Sequence, residues 1–133
     1  MNTKLIPIAI LATLMSTAFA QSMTKDQYDV AKEKISADHR VAKAKCDTMN
    51  GNAKDVCEKQ ADGTENVAKA ELEQQYKPSN SHARKVAEEK AKMTYEVAKE
   101  RCDDQKGNAE DVCKKEAEAQ HARAKESIAK MKN

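Results

Sequence analysis

The chain has 133 residues, 35% of them charged yet with a formal net charge of only +2, and it carries four cysteines, one phenylalanine and no tryptophan. Beyond a leader-like first stretch, that length supports one small domain at most. Acids and lysines interleave throughout, so the one-signed basic face that nucleic-acid binding needs is missing, and no nucleic-acid partner is expected.

Residues 1–20, MNTKLIPIAILATLMSTAFA, differ from everything after them. Lys4 supplies a positive start, Leu5 to Leu14 is apolar apart from Thr13, and Ala18-Phe19-Ala20 forms a small-x-small cleavage site before Gln21. This pattern predicts a signal peptide, removed on export. The apolar run is too short for the roughly 30 Å of a membrane core, and Pro7 interrupts it. The expected location is therefore the periplasm, or secretion, with no membrane span after cleavage. In such a compartment cysteines pair as disulfides.

After residue 20, Ala, Glu, Lys, Leu and Arg make up about half of the chain, the bias of long helices and coiled coils. Leu, Ile, Val and Phe number only ten there, so any core must be thin. A shift of 56 positions superimposes the two halves: VAKAKCD from Val41 meets VAKERCD from Val97, and GNAKDVC from Gly51 meets GNAEDVC from Gly107. The chain is an internal duplication of one supersecondary unit.

In the first copy, Tyr28, Ala31, Ile35, Ala42, Cys46 and Met49 recur at helical spacing and form one face, with Asp38 weakening it. After Gly51 the pattern restarts with Ala53, Val56, Cys57, Ala61, Val67, Ala68 and Leu72, and Gly63 is a weak point within it. Gly51 suits the left-handed residue that ends a helix, and Asn52 suits the cap of the next. Gly107 and Asn108 repeat that turn. Between the copies, Pro78 in YKPSNS disfavours helix at Lys77, and Ser79, Asn80 and Ser81 offer caps. The fold predicted is all-α, with helices over 24–49, 53–76, 81–106 and 109–131. They form two antiparallel hairpins, residues 21–77 and 82–133, joined by a linker at 78–81. Acid-first pairs such as Glu65/Lys69, Glu73/Lys77, Glu88/Lys92, Glu110/Lys114 and Glu126/Lys130 each add about 0.2–0.5 kcal/mol.

Cys46 precedes Gly51 by five residues and Cys57 follows it by six; Cys102 and Cys113 flank Gly107 alike. In a hairpin turning there, the pairs Cys46–Cys57 and Cys102–Cys113 face each other and staple a thin, alanine-rich core. Crossed pairing, Cys46–Cys113 with Cys57–Cys102, is the alternative. A four-cysteine zinc site lacks its C-x2-4-C knuckle, and a thioredoxin-type redox pair lacks C-x-x-C.

Other chemistry is weakly signalled. His39, His82 and His121 align with Tyr95, Asp26 and Glu65, so neither copy repeats a histidine site, and solvated surface histidines are expected. Met23, Met49, Met93 and Met131 are separated and read as packing residues rather than copper ligands. An EF-hand reading of DDQKGNAED puts cysteines where calcium needs oxygen ligands, so capping is the expected role of its acids. No nucleophile–base pair stands out. Neither enzymatic activity nor a cofactor is expected.

On the paired CD-x4-N-x-x-DVC motif and the YKP linker, the chain resembles a group of small exported proteins of β-proteobacteria, along essentially its whole length after residue 20. Some members are similar in Ala/Lys/Glu composition to the helical stalk of the envelope protein TolA. The resemblance implies an exported envelope protein and assigns no reaction. The function expected is that of a non-enzymatic exported structural or interaction protein engaging an envelope protein or itself. The alternatives are a periplasmic metal-binding or redox-responsive protein, and a largely disordered hydrophilic protectant.

Overall fold

Four helices follow one another in the computed structural model, which describes residues 22–131. They are α1 (Lys25–Cys46), α2 (Asn52–Tyr76), α3 (Asn80–Cys102) and α4 (Asn108–Ala129). The expected signal peptide lies outside the described residues. At about 1.5 Å per residue the helices are roughly 33–38 Å long.

Local chemistry explains each start. Thr24 and Gln27 form a reciprocal capping box: the Gln27 amide N–H donates to Thr24 Oγ1 at 3.2 Å, and the Thr24 N–H donates to Gln27 Oε1 at 3.0 Å. Ser79 caps α3 by accepting from the His82 N–H at 3.0 Å. Just before it, Pro78 disfavours helix at Lys77, whose φ of −133° and ψ of 80° end α2.

At the turns inside each copy, the expectation needs correction. Gly51 (φ 58°, ψ −151°) and Gly107 (φ 60°, ψ −138°) have the positive φ that favours glycine, but they begin helices instead of ending them. Helix α1 stops at Cys46 and α3 at Cys102, three and four residues earlier than predicted. Gly51 then occupies the cap position of α2 without a side-chain bond, and Asn52 is already helical. Five residues, 47–51, turn the chain over, so that Cys46 and Cys57 come within a Cα–Cα distance of 5.4 Å.

Among the described residues, each helix packs only on its neighbours in sequence: α1 on α2, α2 on α3, α3 on α4. The two hairpins thus join through α2 and α3, and the result is an open single layer instead of a closed four-helix bundle. Both clasped turns lie at one rim. The Pro78 turn, the start of α1 and the end of α4 lie at the other, where Tyr28 stacks on Tyr76 with centroids 4.5 Å apart and the Arg84 guanidinium donates to the Met131 carbonyl at 2.6 Å.

The layer decides which apolar residues bury. The buried set is Cys46, Ala61, Val67, Ala70, Leu72, Val97, Cys102 and Ala117; four of the eight belong to α2, which has a helix on each side. Val97 is 5% exposed on α3, while Val41, its equivalent on the outer helix α1, is 57% exposed. Gly63 does not interrupt α2. It lets α3 approach, since a Cβ there would lie 2.3 Å from Met93 Cγ.

Candidate functional site

Disulfides close Cys46–Cys57 and Cys102–Cys113, each across 11 residues of sequence; the crossed pairing does not occur. Cys46 and Cys102 are 0% and 1% exposed, the two most deeply buried side chains. No free cysteine remains among the described residues, so neither clasp offers a thiol nucleophile.

A lysine bridges each turn beside the sulfurs. In the first copy Lys54 Nζ lies 3.0 Å from Asp47 and 3.9 Å from Glu58. In the second, Lys114 Nζ lies 2.8 Å from Asp103 and 2.6 Å from Glu110. The 56-residue shift aligns Lys54 with Glu110 and Glu58 with Lys114, so the acid and base have exchanged places while the bridge persists. Hydrogen bonds to Asp47 and Asp103 are the main cause raising the pKa of Lys54 and Lys114, respectively, above the ordinary lysine value. The aspartate after each first cysteine therefore receives a cross-turn lysine, which for Asp103 is a role beyond the capping expected of the acids in DDQKGNAED.

Asn52 is not a cap. Its Nδ2 donates to the Glu100 carbonyl of α3 at 2.7 Å, tying the first turn to the second hairpin. Asn108, its equivalent, is exposed, because among the described residues no helix stands beyond α4. Sequence alone cannot separate these roles, since an asparagine after glycine suits capping and bridging equally.

Each hairpin carries an apolar groove on the same face. The α1–α2 groove, about 370 Å³, is walled by Ile35, His39, Ala42, Cys46, Ala61 and Glu65 among others. The α3–α4 groove, about 410 Å³, is walled by Ala91, Tyr95, Ala98, Ala117, His121 and Ala124 among others. The duplication relates the two grooves. His39 facing Glu65 at 3.6 Å in the first corresponds to Tyr95 stacked on His121, centroids 4.5 Å apart, in the second.

His39 and His121 are thus not the solvated residues expected, whereas His82 makes its contact in an exposed position. His39 is one-fifth exposed and also contacts Asp62 at 2.8 Å; His121 is half-buried under Tyr95. His82 sits at the α2–α3 turn with Nδ1 2.6 Å from the Lys77 carbonyl oxygen. They lie on three different helices and do not converge. Met93 packs on Gly63, as a packing residue should, whereas Met49 is 42% exposed. No cluster of three or more His, Cys, Asp or Glu side chains suited to a metal is found among the described residues. Of the five acid-first pairs, Glu65–Lys69, Glu110–Lys114 and Glu126–Lys130 close at 2.6–2.8 Å. Glu73 instead accepts from the Tyr28 hydroxyl, and Lys92 turns to Glu96 at 3.9 Å.

No protein-family model, curated protein or solved structure matches the chain. Two closed disulfides are the mark of an oxidising, non-cytoplasmic setting, and no described helix is long and apolar enough to cross a membrane.

Proposed function

We propose that this is a non-enzymatic exported protein of the cell envelope, periplasmic in location, whose long helix faces engage another envelope component or a second copy and brace the envelope under stress. The observation that supports the reading best is the open layer: among the described residues α1 and α4 each keep one side without a helix, and Val30, Val41 and Val112 remain exposed. Grooves whose wall surface is mostly apolar suit a helix surface better than a small polar substrate. The leader at residues 1–20 and the two clasps support export.

Cross-linking in intact cells tests the proposal. The chain is expected to be retrieved from the periplasmic fraction in a discrete cross-linked species that disappears when both disulfides are removed by substitution. Recovery as a monomer under every growth condition overturns the interaction role. Stoichiometric bound metal, or free thiols in protein taken from its own compartment, overturns the structural reading in favour of metal or redox chemistry.

A further inference from the structure

The 56-residue repeat carries α1 onto α3 and α2 onto α4, so the α2–α3 contact is the contact between one repeat and the next. The outer side of α4 is then the counterpart of the side α2 offers to α3, and the outer side of α1 is the counterpart of the side α3 offers to α2. We propose that the outer face of α4 in one molecule docks on the outer face of α1 in a second copy, rebuilding the α2–α3 contact between molecules and extending the layer head to tail. The proposal deepens the interaction reading above and rests on it.

Three observations carry it. The first is where exposed apolar side chains fall. Val30, Val41 and Val112 are 68%, 57% and 46% exposed and, with Met49, make up the exposed large hydrophobics among the described residues. Their repeat equivalents Val86, Val97 and Val56 are half-buried or buried. Terminal units of repeat proteins are normally capped by polar outer faces; here α1 keeps Val30 and Val41, and α4 keeps Val112 while Arg123 stands at the place of the buried Val67.

The second is how the internal contact translates. Gly63 under Met93 becomes Ala119 opposite Ala37: a glycine with a long side chain is replaced by two short ones, and the bulk is shared. The register that sets Gly63 beside Met93 places Val67 level with Glu89; their equivalents are Arg123 and Glu33, which supply an ion pair. The third is Asn52. Its bond ends on the Glu100 backbone carbonyl, and the equivalent bond runs from the exposed Asn108 amide to the carbonyl of Ala44, a group indifferent to side-chain identity.

Two internal ion pairs are lost in the translation. Lys59–Glu100 at 3.7 Å becomes Lys115 and Ala44, and Glu71–Lys90 at 2.6 Å becomes Ser127 and Lys34. The tether through Pro78 is absent as well, so docking depends on concentration. Because the two faces differ, the contact is heterologous and does not close on itself as a two-fold dimer does.

Sedimentation velocity on the oxidised chain, from micromolar to millimolar concentration, tests this. The sedimentation coefficient is expected to rise with concentration. Val41→Glu and Val112→Glu, each checked for wild-type helix content by circular dichroism, are each expected to stay monomeric alone. Mixed, they retain one intact face each, so they form a one-to-one dimer and nothing larger. Arg123→Glu is expected to weaken association at least tenfold, and adding Glu33→Arg to restore it. A wild-type chain that is monomeric throughout overturns the proposal. So does a mixture that fails to pair, or either valine variant assembling like wild type, which signals a two-fold contact. If the chain is monomeric while cross-linking in cells retrieves a different envelope protein, only the self-docking falls.

Discussion

Reducing the two clasps is the perturbation that speaks most directly to how this chain stays folded. Each disulfide closes a loop with a sequence separation of 11, and in the chain-entropy treatment a loop of this size constrains the unfolded state by roughly 3 kcal/mol. The loops do not overlap, so the pair contributes about 6 kcal/mol. Against this stands a small core. Cysteines and alanines aside, the buried hydrophobic residues among those described are Val67, Leu72 and Val97. At about 1.5–3 kcal/mol each, these supply about 5–9 kcal/mol. The two contributions are of one size, and a domain's whole stability is about 5–15 kcal/mol. Urea and thermal unfolding followed by far-UV circular dichroism, with and without reductant, gives the measurement. Cys46→Ala/Cys57→Ala and Cys102→Ala/Cys113→Ala are each expected to lose about 3 kcal/mol, roughly 10–20 °C in midpoint. The fully reduced chain is expected to be largely unfolded at body temperature. A loss below about 1 kcal/mol on full reduction refutes the reasoning, because the helices would then hold together by packing alone.

Gly63→Ala is expected to destabilise by about 1–2 kcal/mol despite the higher helix propensity of alanine, since the new Cβ meets Met93; adding Met93→Ala recovers most of the loss in the same urea assay. Gly51→Ala and Gly107→Ala force a side chain onto φ values of 58° and 60° and are each expected to cost about 1–3 kcal/mol. The Tyr28 hydroxyl donates to the Glu73 carboxylate, and that bond is the main cause raising the Tyr28 pKa above its ordinary 10.0. The stabilisation is present below the ordinary value and fades as pH rises through the raised one. Phenolate absorbance should show one tyrosine titrating at lower pH in Glu73→Ala than in wild type.

Much of the architecture is legible in the sequence because it is written in local terms. The 56-residue repeat, the helical spacing and the position of each cysteine relative to Gly51 and Gly107 suffice for four helices and the correct disulfide pairing. The readings that needed correction depend on a neighbouring helix. Nothing near Gly63 announces Met93, thirty residues on; Asn52 reads as a cap until α3 is beside it; Val41 and Val97 share a local sequence yet differ in burial because one lies at the edge of the layer. The early stops at Cys46 and Cys102 have the same origin, since the turn must bring two cysteines together before it can satisfy its own caps. His39 and His121 read as solvated because each pairs with a different residue type at a matching place, Glu65 in one copy and Tyr95 in the other.

The placement of both sulfur bridges at one rim has a mechanical side. Tension drawn between the start of α1 and the end of α4 enters at the opposite rim, parts Tyr28 from Tyr76 and peels the outer rods away until it reaches Cys46 and Cys113. The 11-residue spans behind the bridges carry none of the load. At about 3.3–3.6 Å per residue, with bridged Cα atoms 5.4 and 5.6 Å apart, each bridge withholds roughly 30 Å of length. Oxidation thus sets how far the strand can pay out when pulled.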